Sequence, residues 1–357
     1  VANFSTTVVN TGDITGTATE YTIPISALSE NTQYYWRLRY KDAEGSYSDW
    51  STESNFTTAN SFNNYISTPV ATPAAFGDAL EGGFYTGLIW NEVIQVTNTA
   101  VIGTGSQTFT VSDMSAAPIV YSGQELEVRS RANPDNKMIG KVTAARGTAL
   151  TINITSVGGS GTFSDWSVMA KYRIIVAPKA TGQNTGLLYK NTNTAAPEIC
   201  ITVSEGKKAT QAMVAAGTNV VYPAAHWCYA LSIAGKTDWY LPSRDELELC
   251  WRNLKPTTVA NFTGTRVNTP VAPATLGSYG DVTLAHGLNR NSFPAGAAYT
   301  STSPGQVTTG KNFQNNESEA FTSTASLYWA SSDFSTVKGS AQYFSSDYPG
   351  YQGSDSK

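Results

Sequence analysis

The sequence is poor in charged residues, and this shortage limits the partners that the protein can have. Only 14% of its 357 residues are Asp, Glu, Lys or Arg, against roughly 25% in an average soluble domain. Thr, Ser, Asn, Ala and Gly take their place, which is typical of all-β or adhesin-like surfaces. The formal net charge of -4 leaves no basic surface of the kind that binds nucleic acid. Nucleic acid is therefore excluded as an expected partner.

Cysteine and histidine are also scarce, and long apolar runs are missing. The chain has three cysteines, Cys200, Cys228 and Cys250, and two histidines, without a C-x-x-C pair. We therefore expect at most one disulfide, no metal site and no cofactor. No apolar run approaches the roughly 18 residues of a membrane span, so no membrane insertion is expected. Because the chain begins with Val1 rather than Met, we expect a fragment or a processed product.

The first 58 residues have the pattern of a β-sandwich. In "TQYYWRLRYKD", Tyr34, Trp36, Leu38 and Tyr40 alternate with polar residues, which predicts a strand with one buried face. A hairpin "AEGSYSDWS" and a strand "SNFTT" follow. Leu28, Thr32 and Tyr34 with the later Trp-Ser resemble the last strands of a fibronectin type III domain, whose role would be that of a spacer. Residues 59–80 are polar and Pro-rich and are predicted to be a linker.

Residues 81–181 are predicted to form a small antiparallel sandwich or barrel. Leu126 and Val128, and later Leu150, Ile152 and Ile154, alternate with polar residues, so each strand has one apolar face. The breaks "NPDN", "ARG" and "GGSGT" supply turn residues. The phrase "SRANPDNKMIGKV", continued to "DWSV" and "YRIIVAPKA", resembles a module of bacteriophage tail-fibre and tail-spike proteins. That resemblance spans residues 107–180 and implies a structural spacer.

A capped helix is predicted in "TDWYLPSRDELELCWRNLKP". Ser243 and Glu246 form a capping box, and Leu247, Cys250, Trp251 and Leu254 recur on one helical face. Two shorter helices are predicted in "EGKKATQAMVAAG" and "AAHWCYALSIAG". Adjacent helical residues point about 100° apart, so Asp245 and Glu246 are not expected to act as a catalytic pair. Cys250 is expected to be a buried apolar residue rather than a nucleophile.

The motif "DWYLPSRDEL", followed by "LYWASSDFS", resembles a domain of phage tail proteins and bacterial surface proteins that has a C-type lectin-like fold. The resemblance spans residues 182–357 and implies an α+β domain. Its implied scaffold residues are Trp239, Leu241, Pro242, Ser243, Glu246, Leu247, Trp251 and Trp329. The related formylglycine-generating enzymes need two late cysteines, and none follows Cys250. The usual closing strand "VRAVR" is also lacking, so the last strand is expected to be missing or replaced.

The long polar stretch 257–326 has no periodicity, and it is too long to be one unsupported loop. We expect it to pack either on the lectin-like core or against neighbouring subunits. Within it, "NNESE" at residues 315–319 is a weak calcium candidate, and a solvated loop is the expected state.

The end of the chain, "GSAQYFSSDYPGYQGSDSK", combines aromatic rings with small polar residues and acids, as protein-binding and sugar-binding surfaces do. The candidate receptor-binding residues are Tyr343, Phe344, Asp347, Tyr348, Tyr351 and Asp355. The alternative is that these tyrosines pack the final sheet or a trimer axis.

The sequence as a whole predicts a mainly β, multidomain protein: β-sandwich spacers followed by an α+β C-type lectin-like C-terminal domain. The expected function is that of a phage tail fibre or receptor-binding tail protein of the virion. It would act outside the cell as a homotrimer that binds other tail proteins and a host-surface glycan or protein, without catalysis. The alternatives are a structural fibre or baseplate component that docks another virion protein, and a bacterial surface adhesin.

Overall fold

The structure is a computed structural model of the chain. It describes residues 4, 7, 9–14, 28–29, 32–57, 75–112, 120–146, 148–268, 282–322 and 327–356. Antiparallel strands dominate these residues, so the prediction of a mainly β, multidomain protein is confirmed. None of the helices in this part of the chain is long and apolar enough to cross a lipid bilayer.

The N-terminal segment contains a two-stranded antiparallel ribbon, β1 (Gln33–Trp36) and β2 (Ser54–Thr57). Tyr34 stacks on Phe56 across this pair, with ring centroids 6.0 Å apart. The predicted buried face is wrong for the residues after Tyr34. Trp36 and Leu38 are 46% and 43% exposed and Tyr40 is 75% exposed, because the strand ends at Trp36 and no described residue covers that face.

The middle of the chain contains nine strands, β3 (Ala79–Leu80), β4 (Gly83–Gln95), β5 (Ala100–Val101), β6 (Gly105–Thr110), β7 (Glu125–Ser130), β8 (Lys137–Arg146), β9 (Ala149–Gly158), β10 (Thr162–Phe163) and β11 (Trp166–Val176). Six of them pair antiparallel in the order β4-β11-β7-β8-β9-β6. A bridge between Val96 and Val111 returns the sheet from β6 to β4. The middle segment is therefore a closed barrel.

The barrel interior is filled by the apolar residues that alternate along the strands. Leu126, Val128, Leu150 and Ile152 are each 0% exposed and belong to one core. The polar face predicted for β7 is not solvated, however. Glu127 is also buried, because a later segment of the chain covers this side of the sheet.

The prediction of a linker at residues 59–80 is wrong for its last residues, 75–80. Residues 75–80 are structured: Phe76 stacks on Tyr85, and β3 pairs with β4. The earlier part of the predicted linker, residues 59–74, lies outside the described residues.

The rest of the chain contains α1 (Lys179–Gly182), a 3₁₀ turn (Glu198–Ile201), α2 (Gly206–Ala216), α3 (Pro223–Tyr229), α4 (Arg244–Leu254), β12 (Thr265–Asn268), β13 (Val282–Ala285), β14 (Ser292–Phe293), β15 (Leu327–Ser335), β16 (Lys338–Tyr343) and β17 (Gln352–Ser356). The last three strands form an antiparallel sheet in the order β15-β16-β17. Residues that follow the tyrosines form the last of these strands, β17, where the usual closing strand was expected to be missing or replaced.

This C-terminal part shares a sheet and a core with the barrel. Strand β14 pairs with β4 through Ser292 and Phe293, and Leu249 of α4 packs against Ile89 and Ile174 of the barrel strands. The domain boundary predicted at residue 181 lies shortly after β11. Residues on the two sides of this boundary nevertheless pack against each other. The described residues of 75–356 therefore form one packed unit.

The long segment after α4 packs on this core. Tyr299, Val307, Phe313 and Phe321 are all buried in one cluster with Trp251. The sequence left two alternatives for residues 257–326: packing on the core of the same chain or against neighbouring subunits. The described residues of this segment pack on the core. Residues 269–281 and 323–326 lie outside the description.

Candidate functional site

Three tyrosines from the end of the chain meet at the surface. The ring centroids of Tyr343 and Tyr351 are 5.6 Å apart, those of Tyr343 and Tyr348 are 5.7 Å apart, and those of Tyr348 and Tyr351 are 6.2 Å apart. Tyr348 is 52% exposed, and the other two are partly buried. We call these three residues the tyrosine cluster. Three edge-on or tilted rings give a surface patch that is apolar on the ring faces and polar at the hydroxyl groups.

Backbone hydrogen bonds of the β16–β17 connection fix the cluster. Tyr343 N–H donates to Tyr351 O at 2.9 Å, and Gly350 N–H donates to Tyr343 O at 3.0 Å. Tyr351 N–H donates to Tyr348 O at 3.1 Å. Because each tyrosine takes part in this turn through its own main chain, the turn fixes where the three side chains leave the backbone.

The scaffold helix α4 lies directly behind this turn. Gly350 has φ +79°, and a Cβ built there would lie 2.4 Å from Nε1 of Trp251. The turn can approach the indole this closely only without a side chain. Trp251 itself is 0% exposed and donates from Nε1 to Asn261 Oδ1 at 3.2 Å.

Phe344 is a core residue, and its assignment to the receptor-binding surface is wrong. Its side chain is 0% exposed, with its ring 4.2 Å from that of Phe321 and 5.2 Å from that of Trp251. The reason is the alternation of a strand: at the end of β16, Phe344 points to the opposite face from Tyr343.

The two acids of the predicted site lie on different parts of the connection. Asp347 is exposed next to Tyr348. Asp355 is on β17, opposite Gly339, and is partly buried. Burial raises the pKa of Tyr343, and the negative charge of Asp355 adds to that rise. Asp355 therefore lies close enough to influence the cluster electrostatically.

Two residues that sequence analysis missed extend the cluster. The Phe262 ring lies 4.8 Å from that of Tyr351, and the His286 ring lies 5.2 Å from it. Phe262 N–H donates to Pro349 O at 2.7 Å, which ties the long segment to the turn. Both residues come from 257–326, where no periodicity marks them, so no local sequence signal could have found them.

His286 is uncharged in this environment. It is 1% exposed, and burial lowers its pKa to about 4, with the nearby positive charge of Arg266 adding to the effect. Its Nδ1 accepts a hydrogen bond from Gln352 N–H at 3.4 Å, at the start of β17. At neutral pH it therefore supports the cluster as a neutral ring and does not supply a cation.

Helix α4 has the predicted start, with Ser243 at its N-cap and Glu246 at the third helical position. The Ser243 N–H donates to Glu246 Oε2 at 2.7 Å. Among the predicted scaffold residues, Leu241, Ser243, Glu246, Leu247 and Trp251 are buried, whereas Trp239, Pro242 and Trp329 are partly buried. Trp329 donates from Nε1 to Leu187 O at 2.9 Å.

The acids of α4 are buried and point to separate partners. Asp245 Oδ2 accepts from Asn291 Nδ2 at 2.8 Å, whereas Glu246 accepts from Ser243 N–H and, at 3.2 Å, from the Tyr240 hydroxyl. Burial raises the pKa of Asp245 to about 6 and that of Glu246 to about 7. The two carboxyl groups do not face one another, in agreement with the geometric argument against a catalytic pair.

The other residues that the sequence raised as possible chemical sites are the three cysteines and the segment 315–319. All three cysteines are free. Within the described ranges, no group of three or more His, Cys, Asp or Glu side chains has the arrangement of a metal site. In the segment 315–319, Glu317 accepts from Gln314 N–H at 2.8 Å and Glu319 accepts from Lys179 N–H at 2.7 Å, so both carboxylates already bind main-chain groups.

Comparison with known proteins gives a match for the N-terminal segment. A family model described as the Rha78A-like, N-terminal immunoglobulin domain matches residues 3–61. No curated protein and no solved structure gives a significant match. Immunoglobulin and fibronectin type III domains share the β-sandwich architecture, so the match agrees with the sandwich that was predicted for residues 1–58. The chain is therefore a mainly β, multidomain protein whose N-terminal domain is immunoglobulin-like.

Proposed function

We propose that this chain is part of a phage tail fibre or receptor-binding tail protein, and that it adheres to the host cell surface without catalysis. The observation that carries the proposal is the tyrosine cluster, three clustered rings at the surface with Tyr348 half exposed. The target is a glycan or a protein of the bacterial envelope. In this proposal the chain is a virion component that acts outside the cell.

The chemistry of the cluster supports adhesion. Tyrosine rings offer contact area at a low cost in conformational entropy, and their hydroxyl groups form hydrogen bonds. The turn fixes where the rings leave the backbone, and the rings pack on one another, so less entropy is lost on binding than with isolated side chains. Asp347 adds an exposed acceptor next to Tyr348, which suits sugar hydroxyl groups or backbone N–H groups of a protein.

The architecture fits the same role. We assign residues 182–357 to the C-type lectin-like class on the motifs of α4 and β15, and the first 58 residues to a spacer with fibronectin type III-like strands. A homotrimer would present three clusters to one cell, and linked weak sites gain strongly in overall affinity. Other tail proteins would be its partners in the virion.

Binding of the labelled full chain to bacterial cells tests this proposal. We expect saturable binding to cells of a susceptible strain, with periodate treatment of the cells separating glycan from protein receptors. Purified tail structures serve as the second target. Binding to tail structures and to no strain in a broad bacterial panel would contradict the adhesin proposal and favour a structural fibre component. Release of sugar from the envelopes would contradict the absence of catalysis.

A further inference from the structure

A second concave site lies away from the tyrosine cluster. A cleft of about 780 Å³ opens between the end of β11, helices α2 and α3, the segment 236–242 and helix α4. Its volume is within the range of small-molecule sites, roughly 300–1,000 Å³. None of the three clustered tyrosines lines it, so the cleft is separate from the proposed adhesive surface.

Aromatic side chains form much of the cleft. Tyr172, Trp227, Trp239, Tyr328 and Trp329 all line it, and none of them is fully buried. The Trp239 ring is held against the barrel, because a Cβ on Gly83 would lie 3.1 Å from its Cη2 atom. Fixed aromatic faces next to polar groups are suited to the apolar faces of sugar rings.

One donor in the cleft lacks a partner. Nε1 of Trp239 is buried and has no hydrogen-bond partner among the described residues, whereas Nε1 of Trp329 donates to Leu187 O. A buried N–H without an acceptor is costly, and a ligand hydroxyl oxygen would satisfy it. Trp239 therefore brings to the wall of the cleft an N–H group whose hydrogen bond the described residues do not complete.

Six charged side chains of the cleft form ion pairs with one another. Three ion pairs lie along it: Lys207 with Asp238 at 2.9 Å, Lys208 with Glu205 at 3.0 Å, and Lys236 with Glu81 at 2.9 Å. A charged ligand that binds one of these six side chains would have to compete with its partner. A neutral ligand with several hydroxyl groups can donate to the carboxylates and accept from the lysines without breaking any pair.

We propose that this cleft binds a short neutral oligosaccharide. The aromatic walls take the apolar faces of its rings, Trp239 Nε1 donates to a hydroxyl oxygen, and the ion pairs bind the outer hydroxyl groups. A sialylated or sulfated glycan that binds one of these three lysines has to compete with the carboxylate partner of that lysine. The acyl chain of a fatty acid or other lipid has no oxygen that could accept from the Trp239 donor.

The test uses the full chain with defined glycans. An array that contains neutral, sialylated and sulfated oligosaccharides selects ligands, and isothermal titration with the best neutral glycan gives the affinity. The decisive variant is Trp239→Phe, which keeps an aromatic ring and removes the donor. We expect its affinity to fall about tenfold or more. Trp36→Phe, at a Trp that is 46% exposed in the N-terminal segment, is the matched control and should bind as the wild type does.

Tyr348→Ala separates the two sites. It should leave neutral-glycan affinity within about twofold of wild type, whatever it does to cell binding. The cleft proposal is overturned if no neutral glycan binds at millimolar concentration, or if charged glycans or a fatty acid bind more tightly than every neutral one. Equal affinity of Trp239→Phe and wild type also overturns it. Loss of cell binding in Tyr348→Ala with unchanged glycan titration would support both proposals independently.

Discussion

Tyr343 and Tyr351 interact in two ways, through contact of their rings and through a backbone hydrogen bond. Their ring centroids lie 5.6 Å apart at 63°, and Tyr343 N–H donates to Tyr351 O at 2.9 Å. The turn between them contains Tyr348, and helix α4 packs behind it through Trp251. The surface that is proposed to bind the host is therefore positioned by the buried helix α4.

Gly350→Ala tests how closely the turn depends on that helix. The added Cβ would lie 2.4 Å from Trp251 Nε1 at φ +79°, so the turn must move. We expect a loss of about 2–4 kcal/mol in the free energy of unfolding, from backbone strain and steric overlap together, measured by urea denaturation. Cell binding should also weaken because the tyrosines shift.

Gly310→Ala is the matched control. Gly310 has φ +84°, and an added Cβ would have no atom within 4 Å. The Gly310→Ala variant should therefore lose only the cost of backbone strain, about 1–2 kcal/mol. Equal losses in the two variants would show that Trp251 does not constrain the turn.

Phe344→Ala should destabilise the protein instead of removing a receptor contact. The side chain is 0% exposed and stacks on Phe321, so its truncation leaves a cavity that costs about 3–5 kcal/mol. Urea denaturation measures this loss. A variant that unfolds at the wild-type urea concentration but no longer binds cells would place Phe344 back on the binding surface.

The pH dependence of stability should report the buried Glu246. Its pKa is raised to about 7 from 4.5 by burial, so the folded state holds this proton more tightly than the unfolded state does. Its contribution to stability is present at pH 4 and is lost as the pH rises to about 7. Glu246→Gln does not titrate. The unfolding free energy of this variant relative to wild type should therefore increase by up to about 3 kcal/mol over that interval.

Comparison with wild type is needed because His286 acts in the opposite direction. Its lowered pKa gives a contribution that is present above about pH 6.5 and lost as the pH falls towards 4. Asp238→Asn is the control at an acidic residue. The hydrogen bond from Lys207 lowers the pKa of Asp238 from its ordinary value of 3.8, so this variant should lose stability relative to wild type as the pH rises towards about 4 and should show little further change from pH 5 to 8. A flat difference between Glu246→Gln and wild type from pH 4 to 8 would show that the carboxyl group is solvated.

The thiols should be unreactive while the protein is folded. Burial raises the pKa of Cys228 and of Cys250 to about 12, so only about one molecule in 10⁴ has the reactive thiolate at pH 8. Cys200 is 0% exposed. Titration with a chromogenic disulfide reagent should show slow reaction in buffer and three thiols in concentrated guanidinium chloride. Rapid reaction of Cys200 or Cys250 in buffer would contradict their burial, and rapid reaction of the partly buried Cys228 would contradict its raised pKa.

The elements that are determined by residues close together in the sequence could be predicted. Helix α4 begins after Ser243 because the cap and Glu246 lie within one turn of each other, and the alternation of Leu150 and Ile152 marks β9 for the same local reason. The exposure of Tyr348 also agrees with its polar neighbourhood. These features need no knowledge of the rest of the chain.

The features that depend on distant residues could not be predicted. Glu127 alternates as a solvent-facing residue, yet it is buried because Arg129 pairs with it and Asn291, far along the chain, accepts from Arg129. Phe262 completes the tyrosine cluster from a segment without periodicity. Phe344 looks like its tyrosine neighbours in composition, and only the direction of β16 assigns it to the core.

Cell binding of tyrosine variants is the sharpest test of the proposed receptor-binding surface. The measurement compares the full chain, a variant with Tyr343, Tyr348 and Tyr351 all changed to Ala, and the control Tyr229→Ala, at a tyrosine that is 48% exposed on α3. We expect that the triple variant stays folded by circular dichroism and binds cells at least about tenfold more weakly, while Tyr229→Ala binds as wild type. A folded triple variant with wild-type binding would contradict the assignment of the tyrosine cluster as the receptor-binding surface.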